Sequence, residues 1–191
     1  MRVNIALSAR AGLVAAALFI SACASSPPHA KFANSSASSI VMHASDTTAL
    51  TVSTGSAVVL AEHEKLRVTE QIKSHLAAKQ ALNPALPEPK QYAVEVTITR
   101  YEKGSAFARA MLAGLGQIHL DGLIKVFEQN SHTQLSEFTL EKTFAWGGIY
   151  GGTTSIEDIE GTFAEGLANA LTGHEDDAKG GAKSAKSASA Q

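Results

Sequence analysis

Three stretches of this chain alternate apolar and polar residues, and that pattern limits what the chain can fold into more than any other feature. Over residues 92–101, Tyr92, Val94, Val96 and Ile98 fall on one side and Glu95, Thr97 and Thr99 on the other. Residues 117–127 set Ile118, Leu120, Ile124 and Val126 against His119, Asp121 and Lys125. Residues 135–146 set Phe138, Leu140, Phe144 and Trp146 against Glu137, Thr139, Glu141 and Thr143. A period of two is that of a strand, because successive side chains leave opposite faces of the backbone. Apolar residues on one side only mean a sheet with one face covered. The polar stretch EQNSHT, residues 128–133, is a connection of hairpin size between the second and third strands.

The cover comes from two segments with helical period. In residues 62–82, Val68, Ile72 and Leu76 recur every fourth position among good helix formers, with Leu66 off the stripe. Pro84, Pro87 and Pro89 then force a loop. The second helix opens at Ser155, which with Asp158 has the form of a capping box with Asp in place of Glu. Glu157, Asp158 and Glu160 favour the positive end of its dipole. Ile156, Ile159, Phe163, Leu167 and Leu171 form its apolar stripe, and Gly173 stops it. One or two further strands are predicted in residues 40–60, about a turn at Ser45-Asp46. The prediction is an α+β fold, a mainly antiparallel sheet of about 4–5 strands with two helices on one face. One domain spans residues 40–172, and the apolar-poor segment 173–191 is predicted to be disordered.

The amino terminus has a separate logic. Arg2 and Arg10 precede a ten-residue apolar run, residues 11–20, interrupted only by Gly12. That is too short for about 30 Å of hydrocarbon, which needs roughly 20 helical residues, and it fits a removable secretory signal over residues 1–22. The run ends Ile20-Ser21-Ala22-Cys23, which resembles the lipobox of bacterial lipoproteins. That resemblance implies cleavage between Ala22 and Cys23 and acylation of Cys23, the chain's single cysteine. A lone cysteine has no partner for an internal disulfide. Residues 23–39, small, polar and Pro-containing, read as the lipidated cysteine and a flexible tether. Ala24 stands where an inner-membrane retention signal has Asp, which implies the periplasmic face of an outer membrane in a Gram-negative host. Cleavage removes two of the 16 basic residues and none of the 18 acidic ones, leaving a formal charge of −4. With no block of basic residues, nucleic acid is not an expected partner.

The residues carry little support for catalysis. His63-Glu64-Lys65-Leu66-Arg67 begins like a zinc-protease helix, but Arg67 occupies the place of the second histidine, and a solvated helix face accounts for it better. No G-x-S-x-G elbow or S-x-x-K pair occurs. The expectation is no enzyme, no metal and no cofactor apart from the acyl lipid. A hydrolase reading would rest on His119, Asp121 and His132.

Two glycine segments are the candidate interaction surface. Residues 104–116, GSAFARAMLAGLG, hold one charge, Arg109, ahead of Gly114 and Gly116. The segment reads as a buried crossover, a lip touching the membrane, or a contact surface. Residues 146–152, WGGIYGG, place Trp146 and Tyr150 among four glycines, as a binding anchor or as packing before the last helix. An arginine before a G-x-G turn, the two strands that follow, and a glycine-rich stretch before a closing helix resemble a group of bacterial envelope lipoproteins known as a domain of unknown function. The resemblance covers about residues 90–172, with residues 40–82 matching poorly. More distantly, the element order is similar to small domains of curli-secretion and penicillin-binding-protein-activator lipoproteins. It implies a lipid-anchored binding or accessory module whose partner is an envelope protein or peptidoglycan. The alternative is a subunit that forms a homo-oligomer in an envelope or secretion assembly.

Overall fold

A computed structural model describes residues 27–33, 40–112, 115–145 and 148–174, with the backbone alone at 148–150. The signal segment, Ala22 and Cys23, most of the expected tether and the C-terminal tail lie outside the described residues. In chain order the elements are β1 (His29–Phe32), β2 (Thr47–Thr54), α1 (Glu62–Gln80), β3 (Gln91–Glu102), α2 (Ala106–Met111), β4 (Ile118–Glu128), β5 (Gln134–Phe144), α3 (Gly148–Thr153) and α4 (Ile156–Thr172). The strands form one sheet in the order β1-β5-β4-β3-β2. Only β2 and β3 pair in parallel, which α1 permits by carrying the chain back between them. The other neighbours are antiparallel. The α+β prediction describes this sheet.

Its core lies under α1 and α4. Val94, Val96 and Ile98 of β3, Ile124 of β4 and Phe163 of α4 are fully buried. Gly122 interrupts the apolar side of β4 for a packing reason: a Cβ there would come within 3.0 Å of the Phe163 ring. A bulge shifts the register of β3 between Ile98 and Arg100. The extra residue reverses the alternation and turns Tyr101 to the helix side, where it packs against the core.

α4 begins as the sequence requires. The Ser155 hydroxyl accepts from the Asp158 N–H, and the Asp158 carboxylate accepts from the Ser155 N–H at 2.8 Å. Gly173 closes the helix with φ of 73°, a conformation that favours glycine. At α1 only half of such a box exists, since Ala61 offers an N–H to Glu64 at 2.9 Å but no side-chain oxygen.

Residues 40–60 hold one strand of the one or two expected, after a turn that Asp46 ends by accepting from the N–H groups of His43 and Lys90. Two expectations change. His29–Phe32, inside the stretch predicted to be a tether, pairs with β5 as an edge strand. Pro28 packs against Gly166, where a Cβ would strike the proline ring. Second, the face of α1 around Glu64 and Arg67 is only partly solvated: His63 and Leu66 are exposed, but Glu64 is buried and Arg67 half-buried. Arg67 donates to both carboxylate oxygens of Glu160, at 2.6 and 2.8 Å, and Glu160 is fully buried. Tyr101 donates to the same carboxylate at 2.6 Å. Glu160 is therefore the ionic tie between α1, α4 and β3 rather than part of a helix cap.

Candidate functional site

β3 and β4 are joined at one end of the sheet by residues 103–117, which contain α2. Ser105 caps α2, and Gly104 and Gly116 flank it with φ of 63° and 73°. A Cβ at Gly104 would strike the Gly116 and Gln117 carbonyls, so the two ends of the loop close on each other through backbone alone. Arg109 points inward and is 3% exposed. Its Nε donates to the Gly151 carbonyl at 2.7 Å, Nη1 to Gly116 at 2.8 Å, and Nη2 to Thr154 at 2.8 Å. Gly151 and Thr154 belong to the end of α3 and the residue after it, where unpaired carbonyls gather and a cation is favoured. Burial pushes the guanidinium pKa down. Gly152 lets α3 approach Ala110 of α2; a Cβ there would lie 3.2 Å from the Ala110 Cβ.

Arg109 is thus a clamp on α2, α3 and the G-x-G turn, with its charge turned away from any partner. Its place as a surface contact is corrected: the exposed groups are its neighbours. Phe107 is 75% exposed, Met111 67%, Leu112 53% and Leu115 57%. The reading of 104–116 as a wholly buried crossover does not describe these four. Phe107 and Met111 are one helical turn apart and share a face, while Arg109 faces the other way. No residue in the segment marked this division until the clamp's acceptors were in place, since they come from positions 116, 151 and 154. Of the other candidates, Gly116 is part of the clamp, Gly114 and Trp146 lie outside the described residues, and Tyr150 is described by its backbone in α3.

His119 and Asp121 share the open face of β4. The His119 ring lies 3.0 Å from the Thr143 hydroxyl. Burial pushes the His119 pKa down and that of Asp121 up, with Arg100 adding to the first and opposing the second. His132 sits in the β4–β5 hairpin at φ of 53°, at the far end of β4. Nine strand residues at about 3.3 Å each separate it from the region of His119. The three do not form one site. Among the described residues, no group of three or more histidine, cysteine and acidic side chains is placed to hold a metal ion.

The same face carries Glu95, Lys125 and Glu137 in one cross-strand row and Thr97, Leu123 and Thr139 in the next, with Phe127 opposite Ala93. Lys31 of β1 joins it through an ion pair with Glu141 at 2.7 Å. Both long helices lie on the opposite face, so among the described residues this one stays open and mostly polar.

The model of the family described as domain of unknown function DUF4410 matches residues 36–148, more than half of the chain. The chain belongs to that family. The DUF4410 match includes β2 and α1, which the sequence resemblance had left aside, and ends before α4. No curated protein matches the chain. A single-substitution variant of PelC from Paraburkholderia phytofirmans, a dodecamer, is similar in structure, with a TM-score of 0.51 at 5% identity over 76% of this chain and 95% of that one. PelC in a second crystal form gives 0.48 at 6% identity, over 76% and 96%. A Xanthomonas campestris protein of family DUF330 gives 0.46 at 10% identity, over 73% and 90%. At such identities the first likeness shows a shared fold alone, and the other two carry no argument.

Proposed function

We propose that this chain is an envelope lipoprotein, acylated at Cys23 and held on the periplasmic face of the outer membrane, that acts as a binding or accessory module without chemistry of its own. The open sheet face supports this reading above all. It offers Glu95, Lys125, Glu137, Thr97 and Thr139 on an uncovered sheet surface, where small-molecule sites are concave and mostly apolar. An open, mostly polar sheet face suits a macromolecular partner, an envelope protein or peptidoglycan. In-cell crosslinking followed by mass spectrometry tests it. A reproducible envelope partner that disappears with Cys23→Ser is the expected result, and crosslinks unchanged by Cys23→Ser would sink the anchored module.

The likeness of fold to PelC, a dodecamer, favours a second reading, a self-assembling subunit. Sedimentation of the mature chain decides it. A strict monomer at high concentration, with and without detergent, would remove this reading.

A further inference from the structure

The point where the chain enters the fold sets how the body lies against a membrane. Pro28 is already packed on α4 at Gly166, and β1 begins at the next residue. Five residue steps separate Pro28 from Cys23. At about 3.5 Å per residue they span roughly 17 Å at most. An acyl chain on Cys23 would therefore hold the body against the bilayer surface, not at the end of a long leash.

Topology says which end faces that surface. His29 pairs with Glu141, and Phe32 with Phe138, so the chain before His29 points toward the Phe144 end of β5. That end is shared by the start of β4, the last residues of β3 and β2, and the α2–α3 pair. It is also where large apolar side chains stand most exposed. Besides the four of the α2 segment, Val59 in the loop after β2 is 91% exposed. At the opposite end, among the described residues, only Leu82 is comparably exposed.

We propose that Phe107, Met111, Leu112 and Leu115 form a second membrane contact, seated in the interface of the leaflet that holds the acyl chains. The proposal rests on the lipid anchor put forward above. The segment's one charge, Arg109, is turned inward and consumed by carbonyls, so the outward face of α2 meets the bilayer uncharged. An apolar helix face of this kind sits about 5–10 Å into the boundary between headgroups and acyl chains. Alone it would bind weakly. Tied within a short leash of an inserted lipid, it acts at high effective concentration. The contact would fix the body's orientation and turn the open sheet face sideways, along the membrane plane.

The test uses the mature acylated protein in vesicles of phosphatidylethanolamine and phosphatidylglycerol. In a Trp146→Phe background, Phe107→Trp places one reporter on the tip and Leu82→Trp one at the far end. Brominated acyl chains should quench the first by roughly half or more, with emission at shorter wavelength, because only a ring at acyl depth meets them. The second should keep its emission. Met111→Trp repeats the measurement should Phe107→Trp fail to fold. If the tip stays unquenched and water-like while the protein floats with the vesicles and its Cys23 peptide carries the acyl mass, the contact is wrong and the anchor stands. Shorter-wavelength emission without quenching, in a protein that sediments as an oligomer, would assign the tip to a second copy and overturn the membrane contact. A Cys23 peptide without acyl mass would overturn the anchor and the contact together.

Discussion

Glu160 shows how much one residue can carry. It is fully buried and accepts from Arg67 and Tyr101, so three elements meet on one carboxylate. Glu160→Leu leaves the Tyr101 hydroxyl without its acceptor and leaves Arg67, 29% exposed, with Glu157 at 3.4 Å; it should lower stability by about 1–3 kcal/mol in urea denaturation. Tyr101→Phe should also cost about 1–3 kcal/mol, since it removes one bond to a charged acceptor. Unfolding midpoints equal to wild type would remove the tie. Glu64 makes a prediction in pH. The hydrogen bond from Lys103, then that from the Ala61 N–H, holds its pKa below the ordinary 4.5. A carboxyl depressed in the folded state adds stability above its unfolded value, and that gain is lost as pH falls through the folded value. The stability gap between wild type and Glu64→Gln should be full at neutral pH and close below about 4.5, in unfolding curves taken across that range.

At the scale of elements, β1 depends on one close approach. A side chain at Gly166 would occupy the place of Pro28. Gly166→Val should release β1 from β5 while the central strands hold, seen as faster amide exchange at Lys31 and Ala33, whose N–H groups face β5, but not at Val96 or Ile124. Equal exchange at all four sites would show that β1 does not need this contact. α4 offers a calibrated control: Ser155→Ala should cost about 1 kcal/mol, the usual worth of an N-cap. The long elements were legible in sequence because their signals are local. The periods of two and of four, Ser155 with Asp158 before a stripe, and Gly173 after it each operate within a few residues. β1 was not legible: HAKF alternates, with Ala30 and Phe32 against His29 and Lys31, but four residues set among small and polar ones are too short a signal and become a strand because the edge of β5 offers its hydrogen bonds.

For the whole molecule, the length of chain between Cys23 and Pro28 is the controlling quantity. Inserting about a dozen Gly and Ser residues before Pro27 lowers the effective concentration of the tip at the bilayer and leaves the acyl chains unchanged. The quenching of Trp at position 107 should fall while flotation with vesicles persists. Unchanged quenching would mean that the tip binds by its own affinity and that the leash does not orient the body.

What the sequence determined alone is what depends on neighbours in the chain: the alternating strands, the two long helices with their caps, the fold class, and the lipobox-like end of the apolar run. The tertiary structure decided what depends on residues far apart. Arg67 reads as a surface cation on its own helix and becomes the half-buried partner of a fully buried carboxylate only when α4 brings Glu160 to it, 93 positions away. Tyr101 reads as facing away from the core until a bulge reverses its strand. Arg109 reads as a contact residue until the carbonyls of Gly116, Gly151 and Thr154 converge on it. Charge and polarity are properties of the residue, but whether they face water is settled by which segments the fold brings alongside, and no local pattern encodes that meeting.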